Sequence, residues 1–214
     1  VAVHDISVTL RPGLPVYPGD PPFRREQVRR IRDGDASNLS MLHMSAHHGT
    51  HLDAPLHMID GAAGIDEVDP GVLVGPALVV RIAHTERITS RELEGVDWGG
   101  VERVLFRTDN SGKLEASEEF TRDFIAMDGD AGRFLADLAL KLVGVDYLSV
   151  DGAGADGFPA HMALLGSGVA ILEGIDLSGV EPGWYDLFCG ALRVEGGDGA
   201  PARAFLVDRE DIGE

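Results

Sequence analysis

Three apolar runs constrain the fold of this chain most: VGPALVVRIA (74–83), VERVLFRTD (101–109) and GVAILEGIDL (168–177). Each reads as a buried apolar segment of strand type. The helix signal lies between the second and the third. The spacing of Ala131, Phe134, Leu135, Leu138 and Leu142 predicts a helix over 130–142, with Asp130 as N-cap and Gly144 as stop. It leads into VGVDYLSVD (143–151), so the middle of the chain reads strand, helix, strand. VAVHDISVTL (1–10) reads as a further strand that ends at Arg11-Pro12-Gly13. In LPVYPGDPPF four prolines hold an extended loop that carries Tyr17. The tail ALRVEGGDGAPARAFLVD reads as two strands around a glycine-rich turn. The expected fold is α/β, with a mixed sheet and few helices.

With 214 residues, 44% of them hydrophobic and 25% charged, the chain is expected to form one globular domain over 1–214. Its 18 basic residues against 36 acidic ones give a formal net charge of −18. Such a field repels phosphate backbones and anionic membrane surfaces, so neither nucleic acid nor membrane is the expected partner. The single cysteine, Cys189, has no disulfide partner in the chain and reads as a small buried residue. No leader segment is visible at the start of the sequence, and the expected location is the cytoplasm.

The chemistry concentrates in HHGTHLDAPLHMIDG (47–61), since five of the eight histidines lie between His43 and His57. Imidazole and carboxylate together bind divalent metals such as zinc and manganese. His47, His51 and Asp53 supply such a set. Gly49 and Pro55 make a regular helix through the segment improbable, so a bent loop running into a short extended piece is expected. His51 and Asp53 would then project to one side. His57 could face the same site as a proton carrier. His43 and His48 have no role by spacing, and His4 and His84 read as structural histidines in strand-like segments. Far along the chain, Glu173 ends an apolar run. It is either exposed at a strand end or buried with a cation to offset its desolvation.

The string His47-His48-Gly49-Thr50-His51-Leu52-Asp53-Ala54-Pro55-Leu56-His57 resembles the H-x-G-T-H-x-D-x-P-x-H signature of the cyclase-like metal hydrolases, whose best-known members are bacterial kynurenine formamidases. PVYPGDPPF resembles the family's N-terminal substrate loop and VLFRT its central strand. The resemblance implies a swivelling β/β/α-like fold and a two-metal centre of zinc or manganese. Histidines at the positions of His47 and His51 would bind on one side, Asp53 would bridge, and His161 with Glu173 would hold the second ion. It implies general acid and base work for His57, a substrate contact for Tyr17 where tryptophan is typical, and homo-oligomers of two or more chains.

The activity implied is hydrolysis of a small aryl formamide, N-formylkynurenine first, with the opening of an isatin-like lactam or other small cyclic amide as the alternative. A lesser alternative is a metal or small-molecule binding protein without chemistry, against which the presence of His57 counts. A closed structural metal site ranks last, because such sites favour cysteine.

Overall fold

The computed structural model describes residues 1–209. Twelve strands are present among them: β1 (Val3–Asp5), β2 (Arg24–Arg29), β3 (Leu39–His43), β4 (His51–Asp53), β5 (Val74–Arg81), β6 (Arg87–Ile88), β7 (Arg103–Arg107), β8 (Ala126–Met127), β9 (Leu142–Val145), β10 (Ala170–Glu173), β11 (Gly183–Ala191) and β12 (Gly199–Asp208). The helices are short: α1 (Pro70–Leu73), α2 (Ser90–Leu93), α3 (Lys113–Ala116), α4 (Gly129–Asp137) and α5 (Pro159–Gly166). Eight strands form one mixed sheet in the order β1-β12-β11-β5-β7-β9-β10-β4. Because β12 also pairs with β4, seven of them close into a barrel and β1 lies against its outside edge. Closure satisfies strand edges that would otherwise be left open.

The apolar runs are continuous because each barrel wall has a core on both sides. In β5, Ala77 and Val79 face the barrel interior, whereas Leu78 and Val80 face outward. In β7, Leu105 points in while Val104 and Phe106 point out. In β10, Ala170 and Leu172 point in while Ile171 points out. The outer layer is completed by Ala131 and Leu135 of α4 with Ala160, Leu164 and Leu165 of α5, all buried against those strands. Cys189 lies in the barrel interior, and burial pushes its thiol up to about 12.

Several boundaries differ from those read in the sequence. Asp128, not Asp130, caps α4 by accepting from the Ala131 amide at 2.9 Å, and Asp130 instead pairs with Arg133 in the first turn. The helix stops at Asp137. Ala139 turns to a positive φ of 53°, and the chain then enters β9, so Leu142 and Gly144 are sheet residues. The apolar pattern carried through the boundary because both elements bury the same kind of residue. The first strand is three residues long rather than ten. The C-terminal hairpin is shifted, with GWYDLFCGA as its first strand and LRVEGGD in the connection. His4 is structural, bonded to Asp208 at 2.8 Å, but His84 is not in a strand: it stands in the left-handed region with its side chain exposed. The β2–β3 hairpin was not foreseen, since β2 is largely charged and β3 is only five residues long.

Leu105 is fully buried, and its side chain fills the space above Gly144, where a Cβ would lie 2.3 Å from it. Leu105→Ala is expected to cost about 2–5 kcal/mol. The midpoint of denaturant unfolding should fall accordingly, with little change in slope.

Candidate metal centre

The strand alternation that fills the barrel also places the candidate ligands. Leu52 of β4 is in the interior core, so His51 and Asp53 on either side of it project to the outer face. β10 runs antiparallel to β4 with Glu173 opposite His51 and Ile171 opposite Asp53. Glu173 therefore lies on the same face. It is only 3% exposed, which removes the reading of an exposed strand end. His161 arrives from α5, packed outside β10, and completes a cluster in which α5 and β10 meet β4 from more than a hundred residues away.

The loop before β4 is bent, as its glycine implied. Gly49 has a φ of 68°, and the left-handed Gly174 lies so close that a Cβ there would meet the Gly49 carbonyl at 2.1 Å. Thr50 locks this approach: its hydroxyl donates to the Gly174 carbonyl at 2.6 Å and accepts from the Val8 amide at 2.9 Å. The carbonyl of Gly49 accepts from Nδ1 of His51 at 3.0 Å, so in the neutral ring Nε2 is the nitrogen without a proton, and it is the one aimed at the carboxylates.

Each candidate imidazole ligand is held in this way by an outer acceptor. Nδ1 of His161 is 2.7 Å from Asp151, and its Nε2 lies 3.3 Å from Glu173 and 3.6 Å from Asp53. Nε2 of His47 is 2.8 Å from Asp198, and its Nδ1 lies 2.7 Å from Asp53. Such outer partners fix which ring nitrogen meets a metal. Asp151 has a second task. Phe158 precedes α5 at a positive φ of 47° with no capping side chain, and Asp151 accepts from the Ala160 and His161 amides, both at 2.9 Å. Neither Asp151 nor Asp198 was found in the sequence, where each is an aspartate in a glycine-rich turn with no spacing signal. Glu173 accepts from the Val150 amide at 2.6 Å.

His57 sits in a short turn after β4, its ring 3.9 Å from that of His47 and 5.9 Å from that of His161. His48 faces elsewhere, stacked on Phe23. Tyr17 does not touch the cluster. Its ring meets that of Phe120 edge-on, and its hydroxyl accepts from the Gly154 amide at 3.4 Å. It thus braces the 151–158 loop that leads from Asp151 into α5.

Two donor groups emerge. His47, Asp53 and His57 offer atoms within 4.8 Å of one another, and so do His51, Asp53 and Glu173, with Asp53 common to both. His51 Nε2 and Asp53 Oδ2 are buried without a directed hydrogen bond. Buried donors and acceptors are otherwise almost always paired, and two buried carboxylates require positive charge beside them. Nitrogen and carboxylate oxygen atoms converging on one dry point are what a divalent cation needs. The residues fit a metal centre.

Without a cation, protons must do that work. Burial acts to lower the pKa of His51, but Asp53 and Glu173 outweigh it and push the ring up to about 10. His161 is likewise raised against its burial by Asp151, Asp53 and Glu173. Burial opposes ionisation of Asp53, yet the surrounding histidines hold it well below its ordinary value. Against its burial, His47 is raised as well, by Asp53 and Asp198. The raised histidines stabilise the metal-free fold fully below the ordinary value of 6.5, a stabilisation lost as pH rises, for His51 toward about 10. Metal ligation needs the neutral rings. Loading the metal-free protein at pH 7 should therefore release protons, and apparent zinc affinity should climb with pH across this window. Calorimetric titration in buffers of different ionisation enthalpy measures both.

Comparison with known proteins agrees with this arrangement. The model of the Cyclase family ("Putative cyclase") matches residues 4–152. A kynurenine formamidase of Salinibacter ruber is 38% identical over 213 residues, covering 99% of this chain and 100% of the relative. A solved structure described as a potential metal-dependent hydrolase with cyclase activity superposes with a TM-score of 0.84 at 34% identity, covering 98% of both chains. Isatin hydrolase A of Labrenzia aggregata superposes with a TM-score of 0.82 at 26% identity, over 97% of this chain and 94% of its own. In its signature residues, its sequence along nearly its whole length and its fold, the chain belongs to the cyclase family of metal-dependent hydrolases.

Proposed function

We propose that the chain hydrolyses a small aryl formamide, N-formylkynurenine to kynurenine and formate. The observation that carries this is the pair of donor groups sharing Asp53, one with His47 and His57 and the other with His51 and Glu173, with the His57 ring 3.9 Å from that of His47. The full-length similarity to a kynurenine formamidase supports the substrate. In this reading His47 and His51 would hold one divalent ion, His161 and Glu173 would hold a second, and Asp53 would serve both. Zinc is the first candidate and manganese the second. The ions supply Lewis-acid chemistry, lowering the pKa of water and polarising the amide carbonyl.

The chain's own groups do the rest. Burial lowers the pKa of His57 despite the nearby carboxylates, so its imidazole is neutral and basic at pH 7. With Nδ1 toward Asp198, Nε2 takes a proton from the attacking water and returns it to the nitrogen as the carbon–nitrogen bond breaks. Tyr17 and Phe158, at either end of the bracing described above, supply aromatic faces for an aryl ring. Cys189 is too deeply buried and too weakly acidic to act as a nucleophile.

Opening of an isatin-like lactam is the second reading. The superposition on isatin hydrolase A favours it, and tyrosine at position 17, where the resemblance implies tryptophan, weakens the case for N-formylkynurenine itself. Purified protein is assayed on N-formylkynurenine beside isatin. Turnover of the formamide is expected, turnover of isatin alone moves the assignment to the lactam, and inactivity on both defeats it. His57→Ala should lower kcat by roughly 10²–10⁴-fold and leave metal content nearly intact.

The reading extends to assembly and place. The β2–β3 hairpin pairs only with itself and exposes Val28, Leu39, Met41 and Leu42, with Ile31 exposed in its connection. An isolated hairpin is at best marginally stable in water. A second copy of the chain is proposed to cover it, giving a homodimer or larger oligomer. Light scattering of the eluted protein should show that size, and Met41→Glu with Leu42→Glu should shift it to monomer; a wild-type monomer refutes the proposal. No helix among the described residues is long and apolar enough to cross a membrane. A lone buried thiol is in keeping with a cytoplasmic enzyme.

A further inference from the structure

Asp198 stands in the turn between β11 and β12, one residue before Gly199. Its backbone carbonyl accepts from the Ala54 amide at 3.0 Å, and Gly199 pairs with Asp53 in the β12–β4 ladder. The carboxylate is thus anchored to the strand that carries the candidate ligands. A Cβ on Gly199 would lie 2.7 Å from Cε1 of His47, so the His47 ring is packed directly on the turn's backbone. The same oxygen, Oδ2, lies 2.8 Å from Nε2 of His47 and 3.7 Å from Nδ1 of His57. The first is a hydrogen-bond distance, and the second is too long for a direct hydrogen bond. The two rings it addresses are 3.9 Å apart and tilted by 33°.

We propose that Asp198 is a positioning residue that sets the working nitrogens of both His47 and His57. A proton held on Nε2 of His47 leaves Nδ1 as the nitrogen turned to Asp53. Nδ1 of His57 faces the same carboxylate oxygen at 3.7 Å, a position that favours its proton on Nδ1 and leaves Nε2 for the reacting atoms. Asp151 does the first of these tasks for His161 and the Gly49 carbonyl does it for His51. One oxygen of Asp198 thus addresses a candidate ligand and the proton carrier together, and it acts through the two rings. This inference rests on the metal-hydrolase reading of the site.

Zinc is titrated into metal-free wild type, Asp198→Ala and Asp198→Asn against a chromophoric chelator, and kcat and KM for N-formylkynurenine are measured at saturating zinc. The alanine variant should bind zinc about 10- to 100-fold more weakly. Its kcat should fall about tenfold with KM nearly unchanged. Asparagine keeps an acceptor oxygen of the same reach and should recover most of the zinc affinity. Asp198→Ser, too short to reach either ring, provides the same comparison as alanine if alanine folds poorly. Wild-type zinc affinity in the shortened variants overturns the proposal. So does an asparagine variant as weak as alanine, which would mean bulk charge rather than orientation. Wild-type protein that binds neither zinc nor manganese brings down the metal-hydrolase reading itself, and this inference with it.

Discussion

Asp53 and Glu173 are two carboxylates withdrawn from water within reach of the same two imidazoles, His51 and His161. Leaving one buried charge uncompensated costs several kcal/mol, and two of one sign cost more. The neighbourhood is built around that requirement. Three imidazoles turn a nitrogen toward the carboxylates, and each is held from behind by Asp198, the Gly49 carbonyl or Asp151. A cation satisfies the arrangement directly. In its absence the histidines must take up protons, and the raised values of His51 and His161 measure that demand.

Barrel closure lets so polar a cluster exist beside a well-packed core. Inward residues such as Leu52, Leu105 and Leu172 form one hydrophobic centre, and outward residues such as Phe106 and Ile171 form another under α4 and α5. The cluster occupies the outer face at the end of β10, where the helix layer reaches it only through the start of α5. There the parallel strands stop and their side chains no longer need apolar partners. Open α/β sheets place ligands beyond the carboxyl ends of their strands for the same reason.

The residues within 47–57 were readable as a site because short-range geometry carried them. Alternation in an extended segment puts His51 and Asp53 on one side whatever the rest of the fold does, and Gly49 marks a backbone turn that a side chain would obstruct. The resemblance to the cyclase-like hydrolases supplied His161 and Glu173, which no local spacing links. Asp151 and Asp198 escaped both approaches. Their function depends on which imidazole nitrogen they face across more than a hundred residues for Asp198 and across a helix start for Asp151, and neither leaves a periodic trace. The α4 boundary was misplaced for a related reason, since Leu138 and Leu142 continue a helical spacing into a segment that the sheet claims.

The sequence by itself determined the class of fold, the buried strands, the polar segment that carries His47, His51, Asp53 and His57, and the family. Those follow from residue type and spacing over a few positions. Only the tertiary structure decided that Glu173 is buried opposite His51, that β12 closes the barrel onto β4, that Tyr17 braces the 151–158 loop without touching the cluster, and that Asp198 lies between two rings. These depend on strand register and on helix packing between distant segments, and a one-residue shift in register would turn the same side chains to the opposite face.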